Sequence, residues 1–209
     1  MHHDHVRRPK GTIALGVAMN EADTLRPVRG DVFFRMVDSS TGEVLEEFVR
    51  KNVITLDAGI LAAILFRDPA SRSNGFNMLA VGTGATGSIL NPNAPDPRQR
   101  SLNAEIARKP WSSTTFRDAS GNAVSIPTNI VDYTVTFDEA EAVGPLTEMG
   151  ILSTISDNPA VKNDNPDAFP NRDLTRDLST FDILGNYLTF PVISKPSTAR
   201  LTITWRITH

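Results

Sequence analysis

Leu201-Thr202-Ile203-Thr204-Trp205-Arg206-Ile207-Thr208 decides the fold class. Apolar and polar side chains alternate without a break, the period of a strand with one buried and one wet face. Such a segment at the end of the chain has to be tied into a sheet, because frayed ends do not keep a strict apolar face. Upstream, Val131, Tyr133, Val135 and Phe137 alternate with Asp132, Thr134 and Thr136 in the same way. Leu146 to Ser153, opened by Gly144-Pro145, reads as another strand, and Phe76 to Val81 as a short apolar one. Residues 31–50 read as a hairpin. Val32, Phe34 and Met36 alternate with Phe33, Arg35 and Val37, Asp38-Ser39-Ser40-Thr41-Gly42 supplies turn chemistry, and Val44 to Arg50 returns. A long polar ribbon runs through Ile106, Trp111 and Phe116 to a turn at Asp118-Ala119-Ser120-Gly121-Asn122. Helical spacing occurs once: Thr55 as N-cap, then Leu56, Ile60 and Ile64 with Leu61 and Leu65 on one broad face, ended by Asp68-Pro69. The expected architecture is mainly β, a two-layer antiparallel β-sandwich with one short α-helix against it.

Composition narrows the chemistry. The chain has 209 residues, 40% hydrophobic and 22% charged, enough for a sizeable core and typical of a globular protein. A net charge of −3 provides no basic field for nucleic acid. The absence of cysteine excludes disulfides, thiolate metal sites and a cysteine nucleophile. The histidines stand at positions 2, 3, 5 and 209, so a Ser–His pair or a His-ligated catalytic metal would have to recruit a chain end. The longest apolar run, Gly59 to Phe66, is far too short to span a bilayer.

Two stretches lie outside the expected core. Residues 1–30 read as an extended arm, in which Ile13, Leu15 and Val17 alternate with smaller residues as a strand would. Arg7, Arg8 and Lys10 before this apolar run imitate a signal peptide, but the run is short and no small-x-small cleavage site follows. Residues 156–184 read as a long inserted loop in which Asp157, Asp164, Asp167, Asp173, Asp177 and Asp182 oppose Lys162, Arg172 and Arg176. A loop of this length within one domain is expected to be functional, and here to pack on a partner. The domain is accordingly placed at 31–209.

Several motifs invite chemistry. Gly82-Thr83-Gly84-Ala85-Thr86-Gly87 spells G-x-G-x-x-G directly after a strand. A dinucleotide site needs a helix next, whose free N–H groups hold the pyrophosphate, and Asn91-Pro92-Asn93-Ala94-Pro95-Asp96-Pro97 forbids one. A glycine-rich turn is expected instead. Asp164-Asn165-Pro166-Asp167 offers oxygens but not the alternate spacing and glycine of a calcium loop. Glu139 and Glu141 suggest a carboxylate pair for glycoside chemistry, which would require them to face each other across a cleft. Trp111 and Trp205 could stack on a sugar, although Trp205 falls on the apolar face of its strand and is expected in the core.

Five segments, in order, carry a resemblance. Lys51-Asn52-Val53-Ile54-Thr55 leads into the helix, and Met78-Leu79-Ala80-Val81-Gly82-Thr83-Gly84 follows. After a proline-rich loop come Leu102-Asn103-Ala104-Glu105-Ile106-Ala107-Arg108-Lys109 and Leu146-Thr147-Glu148-Met149-Gly150-Ile151-Leu152, and Leu201 to Ile207 closes the series. Together with the Tyr133 to Phe137 strand, these resemble a family of tailed-bacteriophage virion proteins of the tail-fibre-like or minor structural kind. Its members pair an N-V-x-T helix start with A-V-G-T-G, L-x-x-E-x-x-R, I-T-E-x-G-L-F and L-T-I-T-W-x-I segments. The likeness covers roughly residues 45–155 and 186–209. The family pattern offers no counterpart to the arm or the acidic loop, and nothing in it is catalytic.

The resemblance implies a non-enzymatic structural component of a tailed-phage virion, assembling in multiple copies at the tail, neck or baseplate. A capsid cement or decoration protein on the major capsid lattice is the alternative, and a carbohydrate-binding module a more distant one. Expected partners are other virion proteins and copies of itself, with no direct nucleic acid, no membrane, no cofactor and no metal. The expected location is the virion, after synthesis in the host cytoplasm. Candidate assembly contacts are Arg7, Arg8, Lys10, Ile13, Leu15 and Val17 in the arm, and Asp164, Asp167, Asp173 and Asp177 in the loop.

Overall fold

A computed structural model describes residues 28–68, 75–154 and 182–209. Along them run β1 (Arg29–Asp38), β2 (Val44–Lys51), β3 (Val53–Ile54), α1 (Leu56–Arg67), β4 (Met78–Gly82), β5 (Gly87–Ser88) and β6 (Asn91–Pro92). Then follow β7 (Glu105–Pro110), β8 (Ser113–Arg117), β9 (Ala123–Val124), β10 (Ile130–Phe137), β11 (Gly144–Ser153), β12 (Ile183–Lys195) and β13 (Ala199–Thr208). One sheet has the order β2-β1-β13-β10-β8-β9 and the other β3-β12-β11-β4-β7, all neighbours antiparallel. They pack face to face as the expected two-layer sandwich, with α1 against β12. The small ribbon β5–β6 forms a sheet of its own and is tied to β12 by the Val192 N–H donating to the Ile89 carbonyl at 2.7 Å.

The alternation read from the sequence becomes the core. Leu201, Ile203, Trp205 and Ile207 of β13 point inward beside Val32, Phe34 and Met36 of β1 and Val135 and Phe137 of β10. The opposing sheet contributes Leu79, Val81, Met149, Ile151, Leu188 and Phe190. β13 lies between β1 and β10, in register from Arg29↔Thr208 to Asp38↔Ala199 on one side and from Ile130↔Thr208 to Phe137↔Leu201 on the other. That central position is why the end of the chain keeps a strict apolar face. On the wet side, Thr134 and Thr136 bond to Thr204 and Thr202 at 3.0 and 3.2 Å. The ribbon changes layers: β7 belongs to one sheet, β8 to the other, and the switch falls at Trp111-Ser112. Trp111 fixes it by donating its Nε1 hydrogen to the Phe76 carbonyl at 2.8 Å and packing on Tyr133.

Three expectations need correction. The helix forms where expected, with Thr55 as N-cap and Asp68 as C-cap, but of the expected face only Leu61 is buried and Ile64 and Leu65 half-buried, while Leu56 and Ile60 are exposed and Asp57 is buried in their place. Leu56 is 63% exposed and Ile60 41%. The cap sets the phase, because Thr55 Oγ1 also donates to the carbonyls of Leu184 and Gly185 in β12, at 2.5 and 3.0 Å. The expected acidic loop 156–184 runs two residues into β12, to which Ile183 and Leu184 belong, and Asp182 just before them is already buried. The domain likewise begins before Asp31, since Arg29 and Gly30 pair with Thr208 and Ile207.

Candidate functional site

Three of the segments that carry the resemblance, those around Gly82 and Gly84, around Asn103 and Ala104, and around Glu148, meet in one buried clasp. Glu148 of β11 has no solvent exposure, and its carboxylate is surrounded by donors. Oε1 accepts from the backbone N–H groups of Ala104 (2.8 Å) and Gly84 (3.1 Å), and Oε2 from that of Asn103 (3.1 Å) and the hydroxyl of Tyr187 (2.6 Å). A buried carboxylate is tolerable only when its lone pairs are answered in this way. Burial, the Glu148 charge and the hydrogen bond all push the Tyr187 phenol well above its ordinary value, so it stays a donor. The loop can wrap this closely only without side chains. A Cβ on Gly82 would stand 2.6 Å from the Ala104 carbonyl oxygen, and one on Gly84 would stand 2.4 Å from the Ala104 nitrogen. The G-x-G-x-x-G spelling is therefore a clasp around a glutamate, and it leads into β5–β6 rather than a helix.

A second buried group explains the Glu105/Arg108 spacing. Arg108 places Nε and Nη2 on the two oxygens of Glu105 (2.5 and 2.9 Å) and Nη1 on Asp182 (2.6 Å), all three residues being buried. Burial opposes the arginine's charge, and the two carboxylates more than offset it, raising its pKa. A third is Lys195, whose ammonium donates to the carbonyls of Asp138, Glu139 and Ala199 at 2.8, 3.1 and 2.7 Å. These bonds tie the β10–β11 turn to the β12–β13 turn. Burial lowers the Lys195 pKa against the pull of Glu139, Glu141 and Asp138.

The carboxylates suggested for glycoside chemistry are engaged at that turn. Glu141 meets Lys109 at 2.5 Å, and Glu139 lies 3.5 Å from Arg200. Trp205 is fully buried. With the Asn186 amide turned to suit its neighbours, its oxygen accepts from Trp205 Nε1 at 3.2 Å and from Asn52 Nδ2 at 2.9 Å. An apolar cavity of about 400 Å³ opens between α1 and the sandwich, lined by Ile54, Leu61, Leu65, Phe76, Tyr133 and Ile207. Among the described residues, no three His, Asp or Glu side chains are grouped to hold a metal ion, and no helix is long and apolar enough to cross a membrane.

The outer rim holds one feature that hydropathy patterning missed. β2 is a sheet edge: among the described residues its only strand partner is β1. Seven of its eight residues are exposed, Val44 and Leu45 at 41% and Val49 at 59%. The signal was present in the sequence, because Val44 to Lys51 lacks the alternation of a half-buried strand. The candidate contacts Arg7, Arg8, Lys10, Ile13, Leu15, Val17, Asp164, Asp167, Asp173 and Asp177 lie outside the described residues, as does the Asp164–Asp167 segment. No protein-family model matches the chain, and no curated protein matches it.

Proposed function

We propose that this chain is a non-enzymatic structural subunit of a tailed-phage virion, assembling in several copies at the tail, neck or baseplate. One observation carries the reading: the separated segments that resemble the virion family all act as scaffold here. Thr55 pins the helix to β12, Gly82 and Gly84 close on Glu148, Glu105 holds Arg108, and Leu201 to Ile207 form the central core strand. A sequence pattern used wholly for burial and hydrogen bonding suits a protein that works by holding shape and presenting surface. The polar groups of the clasp are turned inward on one another, where a substrate cannot reach them.

The test is to purify particles, separate tails from filled capsids, and quantify the chain in each by mass spectrometry. Several copies per particle in the tail fraction are expected. Recovery with capsids would make it a decoration protein, and absence from washed particles would refute the virion reading. Turnover of glycans, nucleotides or peptides by the isolated protein, abolished by a single carboxylate substitution, would refute the non-enzymatic part.

A further inference from the structure

We infer that β2 pairs with β2 of a second copy, antiparallel, about a two-fold axis centred on Phe48. The inference extends the multi-copy part of the proposed function and rests on it. A free edge strand exposes backbone N–H and C=O groups ready for another strand, and proteins usually blunt such edges with scattered charge. The charge on β2 is ordered instead: Glu46 and Glu47 come first, Arg50 and Lys51 last. An antiparallel copy reverses that order, so acid meets base at both ends of the contact. A parallel neighbour would set like against like.

The cross-strand pairs within the chain identify the charges that remain to be answered. Glu47 lies opposite Arg35 of β1, and Lys51 opposite Asp31, so that face is already complementary. Glu46 lies opposite Met36, and Arg50 opposite Val32. The Arg50 guanidinium rests over the Phe48 ring at 5.3 Å. With the axis at Phe48, Glu46 of each copy falls opposite Arg50 of the other, twice by symmetry, within the regular part of β2 that follows the bulge at Leu45. The exposed edge of Phe48 would be covered, while its ring stays stacked on Phe34 at 4.6 Å. The β2-β1-β13-β10-β8-β9 sheets of the two copies then run on as one.

Sedimentation equilibrium on the full chain tests this. Wild type should dimerise, and Glu46→Lys and Arg50→Glu, each placing like charges together twice, should raise the dissociation constant about tenfold or more. An equimolar mixture of the two variants should recover association, as should the double variant Glu46→Lys/Arg50→Glu. Unchanged circular dichroism and a cooperative melt would verify that each variant folds, because neither side chain answers a charge within its own sheet and Arg50 gives up only its contact with the Phe48 ring. A monomeric wild type, or charge reversals without effect, would overturn the proposal. So would loss of association on deleting residues 1–27, which would make the arm the occupant of the edge. Self-association and presence in particles are separate measurements, so either can fail while the other stands.

Discussion

Replacing Trp205 by alanine empties a fully buried volume between the sheets and strips Asn186 of the indole donor. The expected loss is about 3–5 kcal/mol in chemical denaturation. Thr204→Ala, one residue away on the wet face, removes a hydroxyl bonded to Thr134 and should cost about 1 kcal/mol or less. Equal losses would mean that the strand phase is wrong. Glu148 tests a different kind of interior. Glu148→Ala leaves three backbone N–H groups and the Tyr187 hydroxyl without an acceptor, and about 3–5 kcal/mol should be lost. Tyr187→Phe removes one donor of four and should cost roughly 1–3 kcal/mol. If Glu148→Ala is the milder of the two, the clasp is not organised by its carboxylate.

Among the elements, β8, β10 and β13 are joined on their outer face by Asp132. It receives Arg206 Nε at 2.7 Å and Arg206 Nη2 at 2.9 Å, and Arg117 Nε at 2.8 Å. Burial raises its pKa, but Arg206 and then Arg117 outweigh burial, and the carboxyl titrates below its ordinary 3.8. A carboxyl depressed in the folded state contributes stability that is complete above its unfolded pKa and lost as pH falls through the folded one. The melting temperature should therefore drop below about pH 4, and Asp132→Asn should lower it at neutral pH while flattening that acid limb. An unchanged acid limb in Asp132→Asn would assign the pH dependence elsewhere. Strands with one wet face were legible in the sequence because period-two alternation survives any context. β12, at 13 residues the longest of the described strands, carries no such alternation, because its first half is buried almost continuously and Pro191 interrupts it. The helix was legible but its facing was not, because a capping hydroxyl bonded to β12 set its rotation, and hydrophobicity cannot report that. The clasp was spelled out in glycines and one glutamate, yet the two partners are more than sixty residues apart, and spacing alone does not join them.

For the whole molecule, the described domain holds its core, its two layers and its buried ion groups without residues 1–27. The cut has to respect Arg29 and Gly30, which the β1–β13 register shows to be sheet residues. Deleting 1–27 should leave the melting temperature within a degree or two, and by the proposed function the truncated chain should fail to enter particles. Exposed ion pairs are weak and screened, so raising salt should reduce incorporation of the intact chain only modestly. Normal incorporation of the truncated chain would make the arm dispensable and return assembly to the domain's own surfaces.

The register that seats β13 beside β1 also fixes how the protein responds to force. Arg29 and Thr208 are direct partners, so both strands leave the sheet at the same corner. Tension between those two points would open the β1–β13 ladder one hydrogen-bonded pair at a time, as a zip opens, rather than shear all the pairs together. A subunit gripped at Arg29 and Thr208 would yield at low tension and lengthen in small steps. The same subunit gripped through β2 and β7, on opposite layers, would meet the resistance of the whole interleaved core.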